Sequence, residues 1–245
     1  MTAKTMPQGM IQHTFCPGCG HGIVARLLHE LIEELGYKKN CCIVAGVGCC
    51  CTMTHIGPHD SFQCAHGRAA ATATAMKRLR PDMLTVTYQG DGDAAVIGIA
   101  ETLNAAYRNE NISCFIINNT NFGMTGGQMS WMTLPEEVTT TSVHGRNCAE
   151  SGFPLHLPEM IAREFPVAYV ARGAIVDVKS IINVKALMKN ALEAQINHEG
   201  YSMVEILSPC PTNWHLSPQK SLERVKNELI AEYPLGEFVS RRVNK

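Results

Sequence analysis

LTVTYQGDGDAAVIGIAETLNAAYRNENISCFIINN, residues 84–119, decides how this chain folds. Leu84 to Tyr88 is rich in β-branched and aromatic residues and reads as a strand. Ala94 to Arg108 has helical spacing, and Cys114 to Ile117 is a second short apolar strand. A strand, a helix and a strand joined by short turns predict a parallel pair with the helix packed on one face. Such sheets bind ligands beyond the carboxyl ends of their strands.

The alternation continues on both sides. Upstream, Ile23 to Leu35 is an amphipathic helix stopped by Gly36, Cys42 to Ala45 a buried strand ending at Gly46, and Gly67 to Arg80 an Ala-rich helix halted by Pro81. Downstream follow a strand at Val167 to Val170, a helix at Ile181 to Ile196, a strand at Met203 to Leu207 and a helix at Leu222 to Ile230. The expected architecture is α/β, a doubly wound and mostly parallel sheet, in a single domain spanning residues 1–245. Residues 122–158 are rich in Gly, Thr, Ser and Pro without periodicity. A loop this long inside a domain is expected to serve an active site or an interface. Residues 211–245 are expected to form a helical tail.

Composition narrows the function. Lys plus Arg number 21 against 22 Asp plus Glu, a net charge of −1, so there is no basic surplus for a polyphosphate backbone and nucleic acid is not an expected partner. MTAKTMPQGMIQHTF has no secretory apolar core, and no segment reaches the length of a membrane span. These features read as a cytoplasmic protein. Eleven cysteines, an odd number that includes the Cys49-Cys50-Cys51 run, suggest metal or redox chemistry rather than a disulfide scaffold. Cys114, inside an apolar run, reads as core, and Cys41, Cys42, Cys64 and Cys148 carry no spacing signal.

Gly90-Asp91-Gly92-Asp93 stands where a strand ends and a helix begins. Free N–H groups and the helix dipole favour an anion there. The glycines allow close approach of a phosphate, and a carboxylate can meet a phosphate only through a hard cation such as Mg²⁺, which makes Asp91 a candidate ligand. The next strand delivers Asn118-Asn119 to the same edge, so Asn119 can complete the metal site. Thr120 to Gln128, including Gly123, Met124 and Thr125, has the small residues and hydroxyls of a loop wrapped around phosphate oxygens. Taken alone, Gly-Asp-Gly is equally a plain turn. Followed by a helix, a strand and Asn-Asn, it resembles the diphosphate signature of thiamine-dependent enzymes.

Cys16-Pro17-Gly18-Cys19 admits a redox dithiol, a zinc half-site or part of an iron–sulfur site. Haem attachment is excluded because Gly20, not His21, follows the second cysteine. Cys49 and Cys210 also follow strands, so all four thiols can meet at one sheet edge, and four thiolates suit either zinc or a 4Fe-4S cluster.

Nearly the whole chain resembles the thiamine diphosphate-binding β-type subunit of the 2-oxoacid:ferredoxin oxidoreductases. The matching motifs are Cys16 to Gly22, Gly46-Val47-Gly48-Cys49, His66-Gly67-Arg68, Gly90 to Asp93, Asn118 to Gln128 and Ser208-Pro209-Cys210. The resemblance implies that Cys16, Cys19, Cys49 and Cys210 ligate a 4Fe-4S cluster. Mg²⁺ would be held by Asp91, Asn119 and the backbone carbonyl of Asn121, and Gly48, Cys49, Cys50 and His66 would line the cofactor. Cys50 departs from the family, in which many members have Ser. His66 and Arg68 have a plainer reading too, as a helix-start histidine and a solvated arginine. His13, His29, His55, His59, His198 and His215 read as ordinary surface or core residues, and Trp131 and Trp214 as core or subunit contacts as readily as cofactor contacts.

The resemblance further implies CoA-dependent oxidative decarboxylation of a 2-oxoacid, with electrons passing through the cluster to ferredoxin. It puts the activating Glu on a partner, an α-type subunit carrying the aminopyrimidine-binding domain, beside γ-type and ferredoxin-like δ subunits. No catalytic residue is assigned to this chain itself. Thr87 to Asp93 and Tyr233-Pro234-Leu235-Gly236 resemble the 2-oxoisovalerate group most, with 2-oxoglutarate next and pyruvate third. A non-oxidative thiamine decarboxylase would need the same diphosphate site without the four cysteines. A structural zinc module would need C-x-x-C without Asp91 and Asn119.

Overall fold

The computed structural model describes residues 6–240. Its elements in chain order are α1 (His21–Glu34), β1 (Cys41–Ala45), α2 (Met53–Ile56), β2 (Asp60–Gln63), α3 (Ala69–Leu79), β3 (Leu84–Gly90), α4 (Ile99–Tyr107), β4 (Ser113–Asn118), β5 (Asn121–Phe122), β6 (Gln128–Met129), α5 (Cys148–Ser151), α6 (Leu157–Glu164), β7 (Tyr169–Ala174), α7 (Val178–Ile196), β8 (Ser202–Leu207), α8 (Pro211–Trp214), α9 (Pro218–Arg224), α10 (Ile230–Glu232) and β9 (Gly236–Ser240). Seven strands form one sheet in the order β2-β1-β3-β4-β8-β7-β9, parallel except for β9.

Both faces of the sheet are covered, so its inner strands are apolar on both sides. Side chains alternate between two cores. Ile43, Val86, Phe115 and Ile117 pack with Leu28, Leu31 and Ala191 of α1 and α7. Val44, Cys114 and Ile116 pack on the other face with Ala70, Ala73 and Ala105 of α3 and α4. Cys41, Cys42, Cys64 and Cys114 are buried as inert packing residues, whereas Cys148 is partly exposed.

The order β1-β3-β4-β8 has a direct consequence. These four neighbouring strands end at Ala45, Gly90, Asn118 and Leu207, so the segments that follow them, carrying Cys49, Asp91, Asn119 and Cys210, gather along one sheet edge.

Three expectations need correction. Residues 211–240 are not a purely helical tail: α8 to α10 stop at Glu232, and β9 then adds an antiparallel edge strand to β7. The segment after Gly90 is not one helix over 94–108. A π-helical turn, Gly92–Ile97, gives way at Gly98 to α4, because Gly98 is pressed against the Gly67 backbone and no side chain fits there. Nor is 122–158 structureless, since it contains the β5–β6 hairpin, α5 and the first turn of α6. The buried Arg146 organises it by donating to the carbonyls of Trp131, Thr133, Ser151 and Gly152. Among the described residues, no helix is long and apolar enough to cross a membrane. Met1 to Thr5 and Arg241 to Lys245, parts of the expected single domain and tail, lie outside the described residues.

Candidate functional site

An open cleft of about 520 Å³ lies at the carboxyl ends of β1, β3 and β4. Every residue expected to bind the cofactor lines it except Gly67 and Arg68. Gly67 donates its N–H to Asp93, and the Arg68 guanidinium pairs with Glu101 at 2.8 Å. His21, Val47 and Phe122, which lie within the motifs quoted above without an assigned role, complete the lining. A Cβ at Gly90 would meet nothing within 4 Å, so the glycine leaves open space for a ligand. Gly48 has φ +110°, a conformation that side chains rarely adopt, and it turns the chain from Val47 into Cys49.

Asp91 follows the last residue of β3 and is 1% exposed. Ser130 Oγ donates to its Oδ2 at 2.6 Å. Burial pushes its pKa up to about 7, against the Ser130 hydrogen bond, and the charge of Glu205 adds to the rise. One terminal atom of the Asn119 amide stands 3.0 Å from Asp91 Oδ1 and 2.8 Å from the Asn121 carbonyl oxygen. With nitrogen there, the amide donates to both oxygens. With oxygen there, three oxygens converge with no hydrogen between them, a set that only a cation satisfies. The donor set fits Mg²⁺, and the buried, uncompensated carboxylate fits it as well.

The turn that presents these oxygens is strained. Thr120 lies between Asn119 and Asn121 with φ +63°, unusual for a β-branched residue. Several bonds hold it there. Its N–H donates to Asn118 Oδ1 at 3.0 Å, and its hydroxyl lies 2.7 Å from the Asn119 carbonyl oxygen and 2.9 Å from Glu137 Oε1. Asn118 in turn donates to the buried Glu205.

Asp93 plays a different part from Asp91. Its carboxylate accepts from Val47 N (3.1 Å), Gly67 N (2.9 Å) and Gln89 Nε2 (2.7 Å), and its Oδ1 lies 2.5 Å from His66 Nδ1. It knots together the loops that line the cleft. The Cys50 thiol is buried and donates to the Val47 carbonyl at 3.4 Å.

A second cavity is lined by Cys16, Cys19, Cys49 and Cys210 together with Asn213. It shares Cys49, Asn119, Gly123 and Met124 with the first, so the two are contiguous. Cys19 N bonds Cys16 O at 3.1 Å, closing the C-x-x-C turn. A Cβ at Gly20 would come 2.3 Å from Ser208 Oγ, so glycine lets this turn approach the segment carrying Cys210. Burial pushes the Cys19 thiol up to about 12, reinforced by the charges of Cys210, Cys49 and Cys16; Cys49 is pushed up to about 11 by burial, then by Cys210 and Cys16. Burial raises the Cys210 thiol too, so holding Cys19, Cys49 and Cys210 as thiolates requires a compensating positive centre. Among the described residues, no three His, Cys, Asp or Glu side chains already stand together as ligands of one metal ion.

Sequence reasoning missed Ser130, Glu137 and Asn213. Ser130 and Glu137 sit in an aperiodic loop that carries no spacing signal. Asn213, three residues after Cys210, had a signal in its proximity to a ligand candidate.

Residues 46–206 match the family described as thiamine pyrophosphate enzyme, C-terminal TPP binding domain. Cys16, Cys19 and Cys210 fall outside that span. The chain is 40% identical over 227 residues to the ketoisovalerate oxidoreductase subunit VorA of Methanothermobacter thermautotrophicus, covering 93% of this chain and 48% of the relative. It therefore spans about half the length of the ketoisovalerate relatives it matches. The 2-oxoglutarate synthase subunit KorB of Methanocaldococcus jannaschii is 34% identical over 210 residues, covering 85% of this chain and 73% of the relative. In three dimensions the chain is similar to 2-oxoglutarate:ferredoxin oxidoreductase from Magnetococcus marinus, solved with 2-oxoglutarate, coenzyme A and succinyl-CoA bound. The TM-score is 0.80 at 24% identity, covering 100% of this chain and 88% of that one. At that identity the likeness shows the fold.

Proposed function

Because the chain belongs to the thiamine pyrophosphate-binding domain family, among the β subunits of the 2-oxoacid:ferredoxin oxidoreductases, we propose that it is the cofactor-binding subunit of such an enzyme. Its site would hold thiamine diphosphate through Mg²⁺ beside a 4Fe-4S cluster. One observation carries this reading: the Asn119 side-chain amide meets both the Asp91 carboxylate and the Asn121 carbonyl within 3.0 Å, in a cleft that shares Cys49 with a cavity lined by four thiols.

Thiamine diphosphate, when bound, supplies the electron sink that lets a 2-oxoacid lose CO₂. The protein supplies placement. Asp91, Asn119 and the Asn121 carbonyl would hold Mg²⁺ and through it the diphosphate. Gly48, Gly90 and Gly92 give the backbone close approach, and Asp93 locks the loop of Val47 and that of His66. The thiols of Cys16, Cys19, Cys49 and Cys210 line one cavity and would together ligate a 4Fe-4S cluster. A cluster held there would supply an electron exit toward ferredoxin, and Cys49 would join its cavity to the diphosphate cleft.

Among the described residues no glutamate lines the cleft. As the family resemblance implies, the activating carboxylate would come from an α-type partner bringing the aminopyrimidine-binding half, with γ-type and ferredoxin-like δ subunits completing the complex. The favoured reaction is CoA-dependent oxidation of 2-oxoisovalerate to acyl-CoA and CO₂, which the 40% identity to VorA supports over 2-oxoglutarate and pyruvate. A cytoplasmic location suits that chemistry.

The test is anaerobic, CoA-dependent viologen reduction by the assembled complex with a panel of 2-oxoacids, alongside iron, acid-labile sulfide and zinc analysis. Zinc without iron would overturn the electron-transfer reading. Asp91→Ala is expected to abolish retention of Mg²⁺ and thiamine diphosphate, and unchanged binding would overturn the metal assignment.

A further inference from the structure

We infer that Asn213 sets the reduction potential of the cluster by donating an N–H···S hydrogen bond to Cys210, an inference that rests on the cluster reading above. Asn213 lies in α8, the short helix that starts directly after Cys210. Its Nδ2 stands 3.5 Å from Cys210 Sγ, 2.7 Å from the Gly123 carbonyl oxygen and 3.4 Å from Asn121 Oδ1. An amide NH₂ has two hydrogens. One is taken by Gly123, and the other lies between Asn121 and the sulfur.

The side chain is fixed in this position. The bond to Gly123 anchors the nitrogen, and a Cβ at Gly127 would come 3.1 Å from the Asn213 Cβ, so the hairpin loop packs directly against the asparagine. Only glycine at Gly127, itself at φ +78°, permits that contact.

The physical consequence concerns charge. An electron added to a thiolate-ligated cluster increases negative charge on the sulfurs, so a donor aimed at one sulfur stabilises the reduced state more than the oxidised state. Hydrogen bonds to cluster sulfurs are among the levers that set its potential. Asn213 supplies such a donor from a residue that is not itself a ligand. The same nitrogen bonds the loop that carries Asn121, so it sits between the two cofactor sites.

The experiment compares Asn213→Leu, which removes the donor at similar size, and Asn213→Asp, which replaces it with negative charge. Each would be made in the full chain purified anaerobically with its native subunits. Iron and sulfide are quantified, and the reduced-state EPR signal that Cys49→Ala removes is followed in a potentiometric titration. Both variants should retain iron and titrate at more negative potential than the wild type, the aspartate further than the leucine. At a fixed ambient potential, the reduced-to-oxidised ratio should fall about fivefold in the leucine variant, the worth of one net hydrogen bond. If the leucine variant loses its iron, the aspartate variant decides. Iron-loaded variants with an unmoved potential would overturn this inference alone. A wild-type chain without iron and sulfide would overturn the cluster reading and this inference with it.

Discussion

Asp93 Oδ1 lies 2.5 Å from His66 Nδ1, and the same carboxylate accepts the backbone N–H groups of Val47 and Gly67. The second aspartate of Gly-Asp-Gly-Asp therefore braces the site, while the first faces the proposed Mg²⁺ position. Asp93 is 2% exposed, so truncating it leaves the N–H groups of Val47, Gly67 and Gln89 Nε2 without their acceptor, and the Gly67 and Gln89 bonds are fully buried. Each such loss costs about 1–3 kcal/mol. Asp93→Ala is expected to destabilise the chain by roughly 3 kcal/mol, read as a lower denaturation midpoint in urea at unchanged m. Asp91→Ala should not reproduce this, because the Asp91 carboxyl is held in the interior against the cost of its own desolvation.

Thr120 offers a test of whether the strained turn serves the proposed Mg²⁺ site. Thr120→Gly relieves a left-handed conformation worth about 1–3 kcal/mol and removes the hydroxyl that grips the Asn119 carbonyl and Glu137. The two effects on stability oppose one another, whereas both loosen the presentation of Asn119 and Asn121. Global stability should change by less than about 1 kcal/mol while Mg²⁺-dependent retention of thiamine diphosphate weakens about tenfold or more. Calorimetry on the two proteins would read both quantities, and unaltered retention would show that the turn needs no clamp.

These two aspartates show where sequence reading succeeds and where it stops. Strand ends and turn glycines are local in sequence, so β3, β4 and the positions of Asp91 and Asn119 were legible from periodicity and composition. The role of Asp93 was not, since its partners Val47 and His66 lie 46 and 27 positions upstream and meet it only through the β1-β3 pairing. Ser130 and Glu137 act through a loop that has no period to read. The edge strand β9, Gly-Glu-Phe-Val-Ser, has one partner strand and a largely exposed surface, so it lacks the apolar run by which the inner strands announce themselves. Gly98 interrupts the helix because the Gly67 backbone occupies the space beside it, a tertiary cause invisible in the Ala-rich pattern.

Acid should unfold the chain partly through His29. Its ring is 1% exposed and neither nitrogen has a hydrogen-bond partner. Burial lowers its pKa to about 4, with the neighbouring His59 adding to the effect. A histidine whose pKa falls from 6.5 on folding takes up its proton more readily when unfolded. Its contribution is thus present above pH 6.5 and is lost as pH drops towards 4. A shift of this size corresponds to about 3 kcal/mol over that window. His21, also lowered to about 4 by burial, titrates over the same range. His29→Leu is therefore expected to remove about half of the combined histidine slope in urea stability measured between pH 7 and pH 4.5.

The buried Arg172 pairs with Glu205 and with Glu159 and lies between the rings of Tyr233 and Phe238, 5.2 and 5.3 Å from their centroids. Glu205 is fully buried and also accepts from Asn118, whose amide oxygen receives the Thr120 N–H. Arg172→Met would leave Glu205 buried without its countercharge, a loss of about 3–5 kcal/mol. The double variant Arg172→Met, Glu205→Leu removes both charges and should recover much of that stability. It also strips Asn118 of its acceptor. If the Glu205 to Asn118 to Thr120 chain of bonds holds the metal-binding turn, the double variant will fold well yet bind Mg²⁺ and thiamine diphosphate more weakly. Restored stability together with wild-type binding would show that the network supports the sheet and nothing beyond it.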